Sequence, residues 1–445
     1  MNKKKVIIIV LILILLIIGV TFAVIKLNKK EEKPIRQEEP STPVAPTEET
    51  DLGIGYAEDL EVSLSNDVNL NIIKLANKDA TASYLVSPYS IETAFSMLRE
   101  GANNNTLAEI NSAVPERTIN TFSSKERISV SNALFIKDEY KKSVEKTFTE
   151  ALKSKYKVEL LYDKFETPEV LNKWVKEKTF GMIEKLKDDM PKDFVLGLAN
   201  AVAIDVNWNN QFKCEKTSSE EFTLANNKTK NVEMMHSTLE SGQYIKTDDE
   251  EGIILKYEKY DKDGNALYGD EDGTQLEFIA IKPTKTNLKR YINDLTSEKL
   301  TKLLDNPTEI KTNQEVNLAL PRFKYDYDYK NIAKDMQTLG IKDVFDKEKS
   351  DLTKIMPREI EQLYVSEVIH KTHIDLNEKG TKAAAVTYIG VNKATAMRDE
   401  KEQIDIKFNK PFLYIIRDTK TKELLFFGTV YNPNEWKGST CKGEK

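Results

Sequence analysis

Glu378-Lys379-Gly380-Thr381-Lys382-Ala383-Ala384-Ala385-Val386-Thr387 is the stretch whose reading decides the fold. A run of small residues follows a Gly-Thr pair, and apolar alternation of the strand kind flanks it. Small side chains bury little surface, so a strand built from them is weak at rest. That composition suits a segment that is loop in one state and strand in another. One face of the extended chain reads Thr381, Ala383, Ala385 and Thr387, all small. The other reads Lys382, Ala384 and Val386, and a lysine there is tolerable only where it meets solvent. Gly380 permits a backbone rotation at the head of the run.

The chain has 445 residues, 40% hydrophobic and 31% charged, with a formal net charge of −6. It is long enough for one large domain or two ordinary ones. No basic arm or stripe points to nucleic acid. Two cysteines, Cys214 and Cys441, stand far apart and make no disulfide framework. They neither demand nor exclude an oxidising compartment. Histidine chemistry is limited to His236, His370 and His373.

Lys3, Lys4 and Lys5 precede an uncharged apolar run from Val6 to Ile25. A helix of that length covers about 30 Å, the hydrocarbon thickness of a bilayer. A cleaved signal peptide has a shorter apolar core. Residues 1–27 are therefore expected to anchor the chain, crossing the cell membrane once through residues 6–25 with the following domain outside. Thr21-Phe22-Ala23 resembles a small-x-small cleavage site, so secretion after signal cleavage is the alternative. Residues 28–58 carry Pro34, Pro40, Pro43 and Pro46 among Glu and Thr and read as a disordered stalk. Residues 59–436 read as one globular domain and 437–445 as a tail.

Helix and strand signals both occur in that domain, so the class is α+β. Ser90 to Gly101 reads as a helix with Ile91, Ala94, Phe95 and Leu98 on one face and Gly101 as its C-cap. Ser87-Pro88-Tyr89-Ser90 reads as the cap that starts it. Pro168 to Ile183 reads as another helix. Strands are expected at 131–136, 198–206, 276–281, 316–320, 404–408, 412–417 and 424–431, with a turn at Asp418-Thr419-Lys420. Val365 to Ile369 gives His370 an apolar strand context. Asp261 to Gly273 is acidic and glycine-rich and reads as a solvated hairpin tip. A calcium loop, the lesser alternative, needs Gly one place later and a Glu beyond it.

Enzyme signatures are absent: no G-x-S-x-G elbow, phosphate-binding glycine loop, H-E-x-x-H or paired C-x-x-C occurs. The chain is not expected to be an enzyme, and no cofactor or metal is implied. Ser87, Ser90 and His370 read as a helix cap and an interior histidine rather than a hydrolase. His373 has no partner that the sequence identifies.

Several short motifs occur in order along the domain: Ser87-Pro88-Tyr89-Ser90-Ile91, Asn132-Ala133-Leu134-Phe135, Asn172-Lys173-Trp174-Val175 and Thr179-Phe180-Gly181-Met182-Ile183. They continue with Leu198-Ala199-Asn200-Ala201 leading to Trp208, and with Leu320-Pro321-Arg322-Phe323. Phe408-Asn409-Lys410-Pro411-Phe412, Phe427-Gly428-Thr429-Val430 and Asn432-Pro433 close the series. Each is weak alone. In this order they resemble the serpins, the serine-protease-inhibitor superfamily, across about residues 60–434. The resemblance implies one large domain of mixed, mainly antiparallel sheets with surrounding helices and an exposed reactive loop. It implies an inhibitory member, membrane-anchored or secreted, of bacterial origin and monomeric.

The implied mechanism is a trap. A serine protease attacks the loop as substrate and forms an acyl-enzyme; the cleaved loop inserts into the main sheet and distorts the protease. Glu378, Gly380, Thr381, Ala383, Ala384, Ala385 and Thr387 fall at the family's hinge. Arg322, Glu378 and Trp208 fall at the breach, where the loop enters the sheet. Ser87, Ser90, Asn200 and His370 fall at the shutter, a polar cluster where strands part. His370 is there expected to make strand opening pH-sensitive. The scissile residue by family spacing is Ala394, followed by Thr395, which suits an elastase- or subtilisin-like protease. Lys393, which suits a trypsin-like one, and Met397 or Arg398 in the long following segment remain alternatives. Cysteine proteases are alternative targets. A non-inhibitory binding or chaperone-like module is the alternative function.

Overall fold

Leu276 to Ile281 and Phe412 to Ile416 are apolar at nearly every position, and strands of that kind need cover on both faces. The computed structural model describes residues 61–78, 82–116, 123–381 and 401–438 and meets that need. The largest sheet orders β1 (Leu85–Val86), β19 (Leu424–Val430), β18 (Phe412–Asp418), β11 (Thr274–Pro283), β9 (Glu250–Tyr260), β8 (Gln243–Lys246) and β12 (Thr308–Glu309). β10 (Ala266–Leu267) pairs with β9. A second sheet orders β17 (Glu402–Lys407), β13 (Gln314–Pro321), β7 (Thr229–Leu239) and β6 (Ser218–Thr223).

The remaining strands form two pieces. One orders β3 (Glu159–Asp163), β2 (Ile128–Lys137) and β4 (Leu196–Ile204). The other orders β14 (Phe323–Asp328), β15 (Lys371–Leu376), β16 (Gly380–Thr381) and β5 (Val206–Asn207). Among the described residues, pairing is antiparallel except for β13–β17 and β2–β3. Eight α-helices complete the described residues: α1 (Val68–Ala76), α2 (Pro88–Gly101), α3 (Asn104–Ala113), α4 (Lys146–Tyr156), α5 (Glu169–Lys178), α6 (Leu288–Asp294), α7 (Ser297–Asp305) and α8 (Ile332–Thr338). The expected α+β class is therefore observed.

Period-two alternation explains the core. Ile254, Ile279, Ile281, Leu413 and Ile415 face α1 and α2 and join Leu70, Ile73 and Phe95. Their neighbours Ile253, Phe278, Ala280, Tyr414 and Ile416 face the second sheet and join Met234, Val316 and Ile406. Each buried Ile, Leu, Val, Phe or Met among them stabilises the fold by about 1.5–3 kcal/mol through burial alone. A third, smaller cluster sits between the β2–β4 piece and α5 and is built on Ala133, Phe135, Leu171, Trp174, Val175 and Ala201.

Ser87 caps α2 as the sequence implies: its side chain accepts the Ser90 backbone N–H at 3.1 Å, and Pro88 occupies the first turn. Gly101 is the last helical residue, where a Cβ would lie 2.2 Å from Ile355. Helix α5 stops at Lys178, short of the expected Ile183, because Phe180 and Gly181 adopt φ +53° and +74°. Val365 to Ile369 is not a strand. β14 reaches only as far as the Asp328–Lys371 pair, so residues 361–370 have no ladder on that side. Nor does β4 pair with them, since among the described residues it pairs with β2 alone. The acidic hairpin is docked rather than merely solvated: Lys125 N–H donates to Lys262 O at 3.0 Å and Ser124 Oγ to Asp261 O at 2.6 Å. Gly264, at φ +88°, lies so close that a Cβ would come 2.3 Å from Lys125 O. Among the described residues no helix is long and apolar enough to cross a membrane; Val6 to Ile25 lie outside them.

Arg417 ties β18 to β11 and α7 inside the core. Its Nε donates to Glu277 at 2.7 Å, Nη1 to Asp305 at 3.2 Å and Nη2 to Leu304 O at 2.7 Å, with Arg417 and Glu277 side chains each 4% exposed. Arg417→Met is expected to cost about 3 kcal/mol by leaving the buried Glu277 with only Lys422, 3.8 Å away, as a counter-charge. Adding Glu277→Leu should recover most of the loss. Denaturant unfolding of the single and double variants measures both; equal loss in the two would contradict the pairing.

Candidate functional site

Gly380 and Thr381 form the two-residue strand β16, seated between β5 and β15. Gly380 pairs with Asn207, Thr381 with Val206 on one side and with Leu376 on the other. The register extends upward, with Trp208 N–H donating to Lys379 O at 2.7 Å. A Cβ on Gly380 would lie 2.0 Å from Val206 O, so glycine is required for close approach. Sequence had given it a different reason, rotational freedom. Thr381 is buried, with its Oγ1 2.7 Å from the Tyr257 hydroxyl. Burial pushes the Tyr257 phenol well above its ordinary value, so it stays a neutral hydrogen-bonding group. The Trp208 ring stacks on Tyr257 at 4.5 Å, and its Nε1–H donates to Asn377 O at 2.9 Å.

Directly above lies Glu378. Arg322 Nε donates to its Oε2 at 2.8 Å, Thr217 Oγ1 to its Oε1 at 2.5 Å, and Phe212 N–H to its carbonyl at 2.9 Å. Arg322 and Glu378, both placed at the breach by the resemblance, are in contact, and Glu378 is only 4% exposed. Thr217 carries no local motif, and sequence reasoning missed it. Cys214, three residues away in a short 3-10 turn (Cys214–Lys216), is disulfide-bonded; the chain's other cysteine, Cys441, lies outside the described residues. Arg322→Ala should destabilise the fold by about 1–3 kcal/mol, the cost of an unpaired buried charge. Thr217→Val should cost about 1 kcal/mol. Chemical unfolding checks both, and a neutral Arg322→Ala would contradict the burial argument.

Below the seat, β4 and residues 361–372 flank a half-open cavity of about 320 Å³, walled by Ile91, Phe95 and Leu98 of α2. Ser87, Ser90, Asn200 and His370 all line it. His370 Nε2 accepts the Ser87 backbone N–H at 3.1 Å, which assigns the neutral ring's proton to Nδ1. Three of the four expected residues thus form one bonded unit. Asn200 does not join it: its Nδ2 donates to Asn132 Oδ1 at 2.7 Å, and its buried Oδ1 has no partner among the described residues. His373 does have a partner, Asp326 Oδ1, at 2.6 Å from Nδ1. His236 meets both Glu220 and Ser218 through the same Nε2, so that trio is no Ser-His-acid relay. Ala383, Ala384, Ala385, Thr387, Lys393, Ala394, Thr395, Met397 and Arg398 lie outside the described residues.

Burial lowers the His370 pKa to about 4, from an ordinary value near 6.5. The unfolded chain therefore takes up this proton between pH 6.5 and 4 while the folded chain resists it. Stability is full above pH 6.5 and falls as pH drops toward 4. The expected loss is about 2 kcal/mol between pH 7 and 5. Thermal unfolding across that range, with His370→Gln as the non-titrating control, reads it; parallel profiles would contradict the assignment.

Comparison with known proteins agrees with this geometry. The family model described as "Serpin (serine protease inhibitor)" matches residues 63–433. Serpin A3-6 of Bos taurus is 30% identical over 84% of this chain and 88% of its own length. The leukocyte elastase inhibitor of Xenopus tropicalis is 30% identical over 81% of this chain and 96% of its own. The native-state crystal structure of tengpin, a thermophilic serpin, superposes with a TM-score of 0.68 at 28% identity, covering 88% of this chain and 96% of that one. The bacterial origin expected from sequence is not borne out. A match that runs through almost every described residue, joined to a Gly-Thr strand seated at the head of an open sheet, means that the chain belongs to the serpin family.

Proposed function

We propose that this serpin inhibits serine proteases as a suicide substrate. The observation that carries the reading is the edge of β4 that has no strand partner among the described residues, facing residues 361–370 across a cavity, with Gly380 and Thr381 already seated at its head. An unpaired strand edge in a protein interior is a vacancy for another strand. The register of the seat supports this reading. An inserted strand that kept the register of Gly380 and Thr381 would set Ala383 opposite Ile204, and Thr387 between Asn200 and His370. The small face of the run would then be the inward one, with a hydroxyl at the level of the Asn200 Oδ1 that has no partner among the described residues.

In this mechanism the protease serine attacks the carbonyl of the scissile residue, Ala394 in the leading assignment. The Ala394–Thr395 bond breaks, the amine takes a proton and leaves, and an ester remains. The freed loop then zips into the vacancy. Each new ladder hydrogen bond contributes about 1 kcal/mol net, so a dozen inserted residues supply on the order of 10 kcal/mol to distort the tethered enzyme. A relative that is a leukocyte elastase inhibitor favours a protease with a small apolar pocket. The chain has no catalytic step of its own, acts as a monomer, and is held at the outer face of the cell membrane through residues 6–25, or is secreted.

Incubation of residues 59–445 with elastase, subtilisin, trypsin and papain, followed by denaturing gels and sequencing of the released peptide, tests the reading. A covalent complex with a serine protease is expected. Cleavage without complex across the panel would instead indicate a binding or chaperone-like member, and a papain complex would indicate a cysteine-protease inhibitor. Thr381→Arg should convert inhibitor to substrate, because a charge cannot occupy the site against Tyr257; undiminished complex formation would overturn the insertion step.

A further inference from the structure

The ladder between β13 and β7 ends at the Pro321–Met234 pair, and proline has no N–H with which to continue it. Residues 434–436, beyond β19, take over that edge of β7: Val232 bridges Glu435, and Trp436 N–H donates to Asn231 O at 3.0 Å. Arg322 is wedged between this segment and β7. Its N–H donates to Glu233 O at 2.8 Å, Glu233 N–H donates to Asn434 O at 3.4 Å, and Asn434 N–H donates back to Arg322 O at 3.1 Å. The three residues close a ring of backbone hydrogen bonds. The Asn434 side chain fixes the ring from outside, its Oδ1 accepting the Lys324 N–H of β14 at 3.0 Å. From this ring the Arg322 guanidinium meets two buried carboxylates. Nε lies 2.8 Å from Glu378 Oε2, and Nη1 lies 3.7 Å from Glu233 Oε2.

We infer that Asn434 is a positioning residue that decides which of the two carboxylates Arg322 serves. The inference rests on the insertion reading above, because Glu378 stands directly before the seat from which insertion starts. That seat, Gly380 and Thr381, is only two residues long, and the grip on Glu378 helps to hold its register. A small slide of the ring would bring Glu233 within full hydrogen-bond range of Nη1 and draw the guanidinium off Glu378. A seat that had slipped would have to be rebuilt before the loop could enter. Delay at that point favours hydrolysis of the ester over trapping.

Removing the rival carboxylate tests this. Parent, Asn434→Ala, Glu233→Gln and the Asn434→Ala/Glu233→Gln double variant, each as the full chain in nonionic detergent, are titrated with the serine protease that complexes the parent. Asn434→Ala should lower the trapped-to-released ratio about two- to tenfold, the weight of one hydrogen bond. Adding Glu233→Gln should restore the ratio, because the charge that competes for Arg322 is gone. A residue that merely held the fold together would show no such rescue. Asn434→Ala trapping as well as the parent would overturn the inference, as would a loss that Glu233→Gln leaves in place. Native thermal midpoints of Asn434→Ala, Arg322→Ala and their double variant are read beside the titration. Coupled losses are expected, and strictly additive ones would overturn the positioning role even in a chain that traps nothing. A parent that forms no complex and gains no thermal stability on loop cleavage would overturn the insertion reading instead.

Discussion

Backbone hydrogen bonding is the constraint on which this fold depends. β4 bonds to β2 along its whole length and, among the described residues, to nothing along its other edge. The largest sheet alternates its side chains into two separate cores, and its central strands β9, β11 and β18 are each paired on both edges. Among the described residues the free edge of β4 stays open beside a cavity, with the seated Gly380 and Thr381 at its head.

Around that edge, the polar groups divide the work by height. At the top, Arg322, Thr217 and Phe212 hold Glu378, and the stacked Trp208 and Tyr257 hold Thr381. In the middle, His370 binds the first turn of α2, and Asn200 binds Asn132 of β2. The two middle residues lie on opposite walls of the cavity and bond to α2's cap and to β2 rather than to each other. Parting the walls therefore breaks no hydrogen bond between them, which is the physical content of a seam.

Much of this was legible in sequence for a simple reason: local rules governed it. The Ser87 cap, the doubly buried β11 and β18 and the one-sided smallness of the 381–387 run are all written within a few neighbouring residues. What was missed depends on distant partners. Val365 to Ile369 has strand composition, but strands need ladders, and its neighbours end or stand off. Thr217 meets Glu378 only because the chain folds back on itself from far away. Gly380 was noticed for freedom and turned out to be needed for lack of bulk, because the Val206 carbonyl that crowds it belongs to another strand.

The third apolar cluster is small and stands apart from the other two. It packs α5 onto β2 and β4 and shares few residues with the body of the molecule. The β2–β4 piece therefore has an interior of its own on the α5 side, while its other face is committed to both large cores, through Leu134 and Ile136 to the first and Ile128 and Ile204 to the second.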